Sequence, residues 1–416
     1  MLRKGRLDRQ LRIEGWDQRA LDDAKIGIVG DDDLLASLYV MSASALGITH
    51  MVVMAPRLDA TLLDIAHKIN PALEITFLEG FYTHPLLDDI FGGCAVLVDL
   101  SHYALANKLL LEKGFREDIP VIRGFCYERD GEQGLTVFTY LKGREWQELE
   151  EIISSRNLPT DHFNDGVLAI VASGIVLEET KNILMGGKVS EDVITYNRRK
   201  VGPNRYDAGI CVVGAGAVGN FVGLGLACAG FRKVTFTDPD MVEMTNLNRQ
   251  VLFYDAIGLR KAETVARRLN EMFGMDAQGS VTSFREDTDV SAYDAIFDCV
   301  DNFETRIVLS ERCRDQNKVL ISGGTGVDAG QVVVYHPEAG GGTPAEVLGL
   351  YDIVAKRQID TNVGGRAACV DRPDPSVIMA NQIIAGFMVD SYRRLLDGQE
   401  TPNTFYDSTS DMRIVV

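Results

Sequence analysis

Two segments of the chain share one pattern, an apolar strand followed by a glycine turn and a helix, but only the second keeps every glycine of the turn. In the second copy the strand leads into Gly214, Gly216 and Gly219. In the first copy Asp32 and Leu35 stand at the second and third glycine positions. Glycines at this spacing let the backbone approach a phosphate and turn a helix N-terminus towards it. The repeat therefore predicts two copies of one nucleotide-binding fold, of which one has lost its site.

Apolar runs and amphipathic stretches alternate along the chain, a pattern typical of an α/β fold with parallel strands. Both copies end in a long apolar helix, predicted at 166–184 and at 376–396, and a short strand follows each helix. A basic stretch with glycine and proline, residues 198–204, predicts the boundary between the copies. The sequence thus predicts a degenerate domain at 1–200 and an intact domain at 201–416, two tandem Rossmann-like domains packed as a pseudo-dimer.

Composition limits the partners and the compartment that we expect. The chain of 416 residues carries a net charge of −18, which argues against a nucleic-acid partner because such proteins present basic faces. No apolar run reaches the roughly 20 residues that a membrane helix needs, and no apolar core follows the basic N-terminus as in a secretory signal. The seven cysteines form no CxxC pair, which speaks against structural zinc and fits a cytoplasmic protein.

An acidic residue follows the strand after the intact glycine turn. Asp238 lies 19 residues beyond Gly219, close to the spacing of a carboxylate that binds a nucleotide ribose. A glycine turn with such a carboxylate is compatible with NAD and with ATP. These residues alone leave the choice between the two nucleotides open.

The polar residues that follow the turn favour a triphosphate. Asn246, Arg249 and Lys261 supply an amide and two cations, and Asp301 follows a later strand of the same copy. Arginine and lysine neutralise charge that grows on phosphate oxygens, and a carboxylate can hold Mg²⁺. A dinucleotide dehydrogenase has no need of this set. The pattern therefore predicts ATP with Mg²⁺ rather than NAD.

At these residues the chain resembles the ubiquitin-activating superfamily, which includes the ThiF- and MoeB-like enzymes that adenylate thiamin and molybdopterin sulfur carriers. The resemblance rests on three segments, residues 245–250, 301–306 and 322–326. It implies two ThiF-type adenylation domains, the first of them inactive. It further implies that the glycine turn binds ATP, that Asp238 binds the ribose, that Asn246, Arg249 and Lys261 hold the phosphates, and that Asp301 coordinates Mg²⁺.

The N-terminus carries a second part of the resemblance. Residues 6–11, with Gly15 and Gln18, are similar to the opening segment of that family. In the family the arginine before the glutamine reaches into the ATP site of the partner domain. The resemblance implies that Arg9 does so here, from the degenerate half into the intact half. The intact half has a different opening, so the exchange runs one way only.

One cysteine lies in a loop where a nucleophile would be useful. Cys369 belongs to a crossover loop predicted at about 338–374, and Arg366 and Arg372 flank it, which favours the thiolate. Family members that form a thioester carry their cysteine on a loop over the adenylate. The resemblance implies this role for Cys369; the alternative is a small residue that packs the loop.

The sequence predicts an enzyme that activates a small ubiquitin-like protein. Its C-terminal carboxylate would be adenylated with MgATP and transferred to Cys369, and a conjugating enzyme would then take the thioester. A first alternative is adenylation for sulfur transfer or peptide modification without a thioester, against which the absent CxxC pairs weigh. Alternatives of other classes are an NAD-dependent oxidoreductase and a non-catalytic scaffold. The sequence leaves open whether two chains pair into a further homodimer.

Overall fold

The computed structural model describes residues 5–143, 163–202, 207–363 and 374–416, with the side chains of 357–363 left out. Cys369 and its two flanking arginines therefore lie outside the described residues. Within the described residues two sheets form, one in each half of the chain.

The first sheet has seven strands in the order β3-β2-β1-β4-β5-β6-β7. Its strands are β1 Lys25–Gly30, β2 His50–Ala55, β3 Glu74–Glu79, β4 Val96–Leu100, β5 Val121–Arg129, β6 Glu132–Tyr140 and β7 Ile194–Arg199. The strands from β3 to β5 run parallel, and β6 and β7 add to the edge in antiparallel orientation.

The second sheet repeats this plan with eight strands in the order β10-β9-β8-β11-β12-β13-β14-β15. Its strands are β8 Ile210–Val213, β9 Lys233–Thr237, β10 Asp276–Ser280, β11 Ala295–Asp298, β12 Val319–Thr325, β13 Ala329–Tyr335, β14 Thr404–Asp407 and β15 Ile414–Val415. The core of each sheet is parallel, as in a Rossmann fold, with an antiparallel meander at one edge. The predicted α/β class with two tandem Rossmann-like units is confirmed.

Helices connect and cover the strands. They are α1 Gln18–Asp22, α2 Leu34–Leu46, α3 Ala60–Ile69, α4 Ala104–Glu117, α5 Gly166–Met185, α6 Ala217–Cys228, α7 Lys261–Phe273, α8 Phe303–Asp315, α9 Pro344–Val347, α10 Leu350–Val363 and α11 Ile378–Leu396. None of the helices in the described ranges is long and apolar enough to cross a membrane.

The two halves share one continuous hydrophobic core, which extends through both sheets. The long helices α5 and α11 pack against each other at its centre. Their backbones approach closely, because a Cβ on Gly174 would lie 2.7 Å from Ile383 Cγ1 and one on Gly386 would lie 2.4 Å from Val171 Cγ2. Small residues at these contacts bring the two sheets together as a pseudo-dimer.

Buried ion pairs fix the orientation of the halves. Arg198 of the first sheet lies 2.9 Å from Asp390 on α11, and Arg393 of the same helix lies 2.9 Å from Asp165 at the start of α5. All four side chains are nearly inaccessible to solvent. A buried charge is costly without its partner, so this network tolerates little change in the packing angle of the halves.

The strand register shows which positions of the two halves correspond. Val29 pairs with Asp99 in the first sheet, and Val213 pairs with Asp298 in the second. Counting onward from these aspartates places His102 at the position of Asp301.

The segment predicted as a crossover loop at 338–374 is not a loop throughout. It contains the helices α9 and α10. The first begins with a capping box at Thr343, whose hydroxyl and backbone N–H both donate to Glu346. The residues of α10 include neither glycine nor proline, and the helix starts directly after Gly349, which has a φ of +62°.

Candidate nucleotide site at the junction of the halves

The three glycines of the intact turn have different surroundings. Gly214 has a φ of +95°, and a Cβ there would lie 2.6 Å from the carbonyl oxygen of Cys299; a Cβ on Gly219 would lie 2.1 Å from the oxygen of Gly214. Close packing excludes a side chain at both positions. Gly216 differs, because among the described residues only Gln250 Nε2, at 3.9 Å, comes within 4 Å of a Cβ placed there. The turn is thus packed on one side and open at Gly216.

The N-terminus of helix α6 opens at this glycine. Gly216 is its N-cap, and no side chain in the described part of the chain caps it. In the first half the equivalent helix α2 is capped by Asp33, whose carboxylate accepts from the N–H of Leu35 at 2.9 Å. Free N–H groups and the helix dipole make an N-terminus attractive for an anion. The second half keeps this feature, and the first half supplies its own carboxylate instead.

Asp238 lies beside the turn. It follows β9 and is buried, and its Oδ2 accepts from the N–H of Ala215 at 2.7 Å. Its Oδ1 accepts from the N–H of Asp240 at 2.8 Å. The carboxylate therefore holds the glycine turn in place from within the site, and its predicted contact with a ribose stays a prediction.

Lys261 and Asn246 border the same region. Lys261 is the first residue of α7, and its Nζ lies 2.9 Å from Asp240 Oδ2. Asn246 is buried, and its Oδ1 accepts from the N–H of Glu243 at 2.8 Å in a capping box. Both predicted phosphate ligands thus have protein partners here, and Asp240, which the sequence analysis passed over, holds the lysine in place.

Arg249 and Arg9 converge from opposite halves of the chain. Arg249 is 6 % exposed, and its Nη1 donates to Thr245 O at 2.9 Å and to Asn248 Oδ1 at 2.7 Å. Burial and the neighbouring charge of Arg9 lower the pKa of Arg249 to about 10, while the carboxylate of Asp301 raises it. The guanidinium stays charged at neutral pH. Two mutually repelling cations at one site favour an anion between them.

Arg9 comes from the N-terminal segment. Its Nη1 donates to the carbonyl of Asp374 at 2.6 Å, and its buried Nε has no hydrogen-bond partner among the described residues. Burial lowers the pKa of Arg9, as does Arg12, and Glu243 and Asp374 raise it. A buried donor without a partner is uncommon in folded proteins, and a bound anion would satisfy it.

Gln250 adds a second unsatisfied group. Its Oε1 is buried without a hydrogen-bond partner in the part of the chain that the structure describes. Its amide nitrogen is the group that faces Gly216. Gln250 belongs to the segment 245–250 on which the resemblance rests, but the sequence indicated no role for it. Its placement beside Gly216 indicates a contact with a ligand.

Asp301 is exposed three residues beyond the end of β11. It is close enough to Arg249 to affect the pKa of that residue. Mg²⁺ commonly takes one or two protein carboxylates and completes its shell with water and substrate phosphates. The described residues contain no cluster of three or more His, Cys, Asp or Glu side chains that could hold a metal. A single exposed carboxylate fits Mg²⁺ that a nucleotide carries, and the role of Asp301 in holding this ion stays a prediction.

A buried ion pair between Asp298 and Arg306 lies next to the candidate site, and the sequence did not predict it. Asp298 lies 3.1 Å from Arg306 Nε and accepts from Ser322 Oγ at 2.6 Å. Arg306 Nη2 donates to the carbonyls of Val300 and Gly323 at 2.8 and 2.9 Å. Arg306 thus links the segments 301–306 and 322–326 to each other and to Asp298 at the end of β11. The first half keeps an analogous pair between Asp99 and Arg123 at 2.9 Å.

In the first half, protein side chains fill the region equivalent to the site. His102 stands where the second half has Asp301, and its Nδ1 lies 2.6 Å from Asp31 Oδ2. Its Nε2 contacts the carbonyl of Cys126 at 3.1 Å. Burial alone would lower the pKa of His102, but the hydrogen bonds with Asp31 and Cys126 raise it. Acidic groups at this edge oppose a bound phosphate.

The six cysteines in the described ranges are poor nucleophiles. Five are buried and Cys228 is half-buried. Burial raises the pKa of Cys211 and of Cys228 to about 12. The predicted nucleophile Cys369 lies outside the described residues. Asp374 is the last residue of the predicted crossover segment, and its carbonyl accepts from Arg9 at the candidate site.

Comparison with known proteins agrees with this architecture. Residues 206–412 match the ThiF family. The chain is 36% identical over 138 residues to the adenylyltransferase and sulfurtransferase MOCS3 of Anopheles gambiae, a match that covers 32% of this chain and 31% of that protein. It is 31% identical over 140 residues to a probable molybdopterin-synthase adenylyltransferase of Porphyra purpurea, covering 32% of this chain and 36% of that one. The chain thus spans about a third of the length of the curated relatives it matches.

A crystal structure of Escherichia coli MccB with selenomethionine MccA aligns with a TM-score of 0.41 and 21% identity, over 51% of this chain and 63% of that chain. The family match and the relatives place the chain in a class. Residues 206–412 form a domain of the ThiF family, and the predicted resemblance to the superfamily of ThiF- and MoeB-like adenylating enzymes is confirmed.

Proposed function

We propose that the chain adenylates the C-terminal carboxylate of a small ubiquitin-like protein with MgATP. A carboxylate oxygen attacks the α-phosphorus, the bond from this phosphorus to the bridging oxygen breaks, and pyrophosphate leaves. An acyl adenylate remains. Membership of the ThiF family and the printed names of the relatives, which are adenylyltransferases, support this reaction class.

The placement of Arg9 and Arg249 is the observation that carries the proposal. Asn248 joins Arg249 to Gln10, the neighbour of Arg9, and Gln250, the neighbour of Arg249, faces Gly216 at the N-cap of α6. Both reactants are anions, and they repel each other until cations offset their charge. Two guanidiniums and a helix N-terminus supply positive charge at one place. An oxidoreductase that binds NAD has no use for two arginines, one buried and one half-buried, whose charges repel each other.

Each residue of the site has its own part in this reaction. Gly216 and the N-terminus of α6 bind phosphate oxygens, and Asp238 binds the ribose. Lys261 leaves its ion pair with Asp240 and binds a phosphate instead. Asn246 supports the phosphates, with Arg249 and Arg9 positioned to neutralise the charge that grows on the α-phosphate. Asp301 would hold the Mg²⁺ that enters with the nucleotide, and this ion would supply further positive charge. The first half contributes Arg9 but binds no nucleotide, because Asp33 caps α2.

The fate of the adenylate separates two branches. In the first, the Cys369 thiolate attacks the acyl carbon, a C–S bond forms, and the C–O bond to AMP breaks. A cysteine of a conjugating enzyme would then take the acyl group by thioester exchange. In the second branch a sulfur donor attacks the adenylate, and no thioester with this chain forms. The relatives named as sulfurtransferases support the second branch; the flanking arginines of Cys369 support the first.

The test is exchange of radiolabelled pyrophosphate into ATP by the full chain. The assay contains MgATP and a β-grasp protein ending in Gly-Gly from the same genome. Arg249→Met keeps the length of the side chain and removes its charge, and we expect exchange to fall by about 100-fold or more. Arg267→Met is the matched control, since that arginine is exposed and pairs only with Glu271 in the described residues.

Equal exchange by wild type and Arg249→Met would contradict the assignment of the site. No exchange by the wild type with any such carrier, together with tight binding of NAD, would favour the oxidoreductase. No exchange and no nucleotide binding would revive the non-catalytic scaffold.

A further inference from the structure

Asn248 occupies a junction between three segments of the chain. It is completely buried, and both polar atoms of its side-chain amide have hydrogen-bond partners. Its Nδ2 donates to Gln10 Oε1 at 3.1 Å and to the carbonyl of Ser376 at 3.0 Å. Its Oδ1 accepts from Arg249 Nη1 at 2.7 Å. One amide thus joins the N-terminal segment, the turn of Arg249 and the segment that leads into α11.

Both acceptors of Nδ2 adjoin Arg9. Gln10 is its neighbour in sequence, and Gln10 Nε2 is anchored to the carbonyl of Leu46 at 2.7 Å and so to the first half. Ser376 donates its backbone N–H to the carbonyl of Arg9 at 3.4 Å. The same segment offers the carbonyl of Asp374 to Arg9 Nη1. The backbone carbonyl and the guanidinium of Arg9 are therefore both held by the segment 374–376, and Asn248 binds this segment at the carbonyl of Ser376.

We infer that Asn248 is a positioning residue, which sets the distance between Arg9 and Arg249 at the α-phosphate. The inference rests on the proposed adenylation. The contacts require an asparagine. Its amide oxygen accepts from the Arg249 guanidinium, and its amide NH₂ group donates to two oxygens, Gln10 Oε1 and Ser376 O. An aspartate at this position would keep the acceptor and turn a charge towards Gln10 Oε1 and Ser376 O.

The test combines Asn248→Asp with Arg9→Met in a double-mutant cycle. Displacement of a catalytic group by about 1 Å can cost about 100-fold in rate, so we expect Asn248→Asp to lower kcat for pyrophosphate exchange by about 10- to 100-fold. The dissociation constant of MgATP, measured by calorimetry, should change by less than about threefold, because the glycine turn and Asp238 are untouched. In the Arg9→Met background the same substitution should change kcat by less than about threefold.

Two further variants separate positioning from a general loss of structure. Gln10→Met removes the acceptor of Asn248 at similar volume, and its effect on kcat should also vanish in the Arg9→Met background. Asn107→Asp makes the same exchange at a completely buried asparagine of the first half, where Nδ2 donates to Asp99 at 2.7 Å. It should lower the midpoint of thermal unfolding and leave kcat of the folded fraction unchanged.

Multiplicative losses of kcat in the double mutant, with exchange intact in the wild type, would overturn this inference and leave the proposed function standing. An equal loss of kcat in Asn107→Asp would also overturn it, because any buried amide would then serve. Absence of exchange in the wild type would overturn the proposed function and the positioning role together.

Discussion

At the scale of single residues, the site depends on side chains whose contacts cross the two halves. The Arg249 guanidinium, with its pKa near 10, stays charged across the range in which enzymes work. The sequence motif predicted its importance and that of Arg9. Gln10 and Asn248 lie 238 residues apart along the chain, and no local pattern predicts that they meet. That contact exists only because the halves pack as they do.

The role of Cys369 is tested by one substitution. We expect Cys369→Ala to keep pyrophosphate exchange within about threefold of wild type, since the first step does not use the thiol. It should abolish a thiol-sensitive adduct between the chain and the Gly-Gly carrier on non-reducing gels. Cys228→Ala is the matched control, because burial raises the pKa of that thiol to about 12 and makes it inert. An adduct that persists in Cys369→Ala would remove this cysteine from the mechanism.

At the scale of elements, the sequence predicted the strands that carry a strong apolar signal and missed those that form by pairing alone. β10, with the sequence DAQGS, has no apolar alternation and exists because it pairs in parallel with β9 at the edge of the sheet. The sequence predicts a loop where α10 forms, because the resemblance rests on the cysteine that follows this segment and gives no sign of a helix before it. The strand, turn and helix at 210–228 were predictable, because the spacing of the glycines specifies the turn. Close packing leaves no room for a side chain at Gly214 and Gly219.

The glycine turn offers a matched pair of substitutions. Gly214→Ala places a Cβ at positive φ and 2.6 Å from Cys299 O, so we expect the free energy of unfolding to fall by about 1–3 kcal/mol. Gly216 has a φ of −72° and an open surrounding, so Gly216→Ala should leave stability within about 1 kcal/mol. The same Gly216 variant should weaken MgATP binding by about tenfold or more, as a methyl group meets the phosphate. Denaturant unfolding and calorimetry measure the two effects; unchanged ATP affinity in Gly216→Ala would place the phosphate elsewhere.

At the scale of the whole molecule, the chain is a pseudo-dimer in which the halves have taken different tasks. The first half caps its own helix with Asp33, fills the equivalent region with the His102–Asp31 pair and contributes Arg9 to the other half. The second half keeps the open glycine turn and the side chains that we propose bind the phosphates. The sequence predicted this division from the lost glycines, and the filling of the degenerate region required coordinates to see.

The most direct measurement of this division is the stoichiometry of MgATP binding by the full chain, determined by calorimetry. We expect one nucleotide per chain, binding that Arg249→Met weakens by about tenfold or more and that His102→Gln leaves unchanged. Two equivalents per chain, or a single equivalent that is lost in His102→Gln and retained in Arg249→Met, would contradict the account.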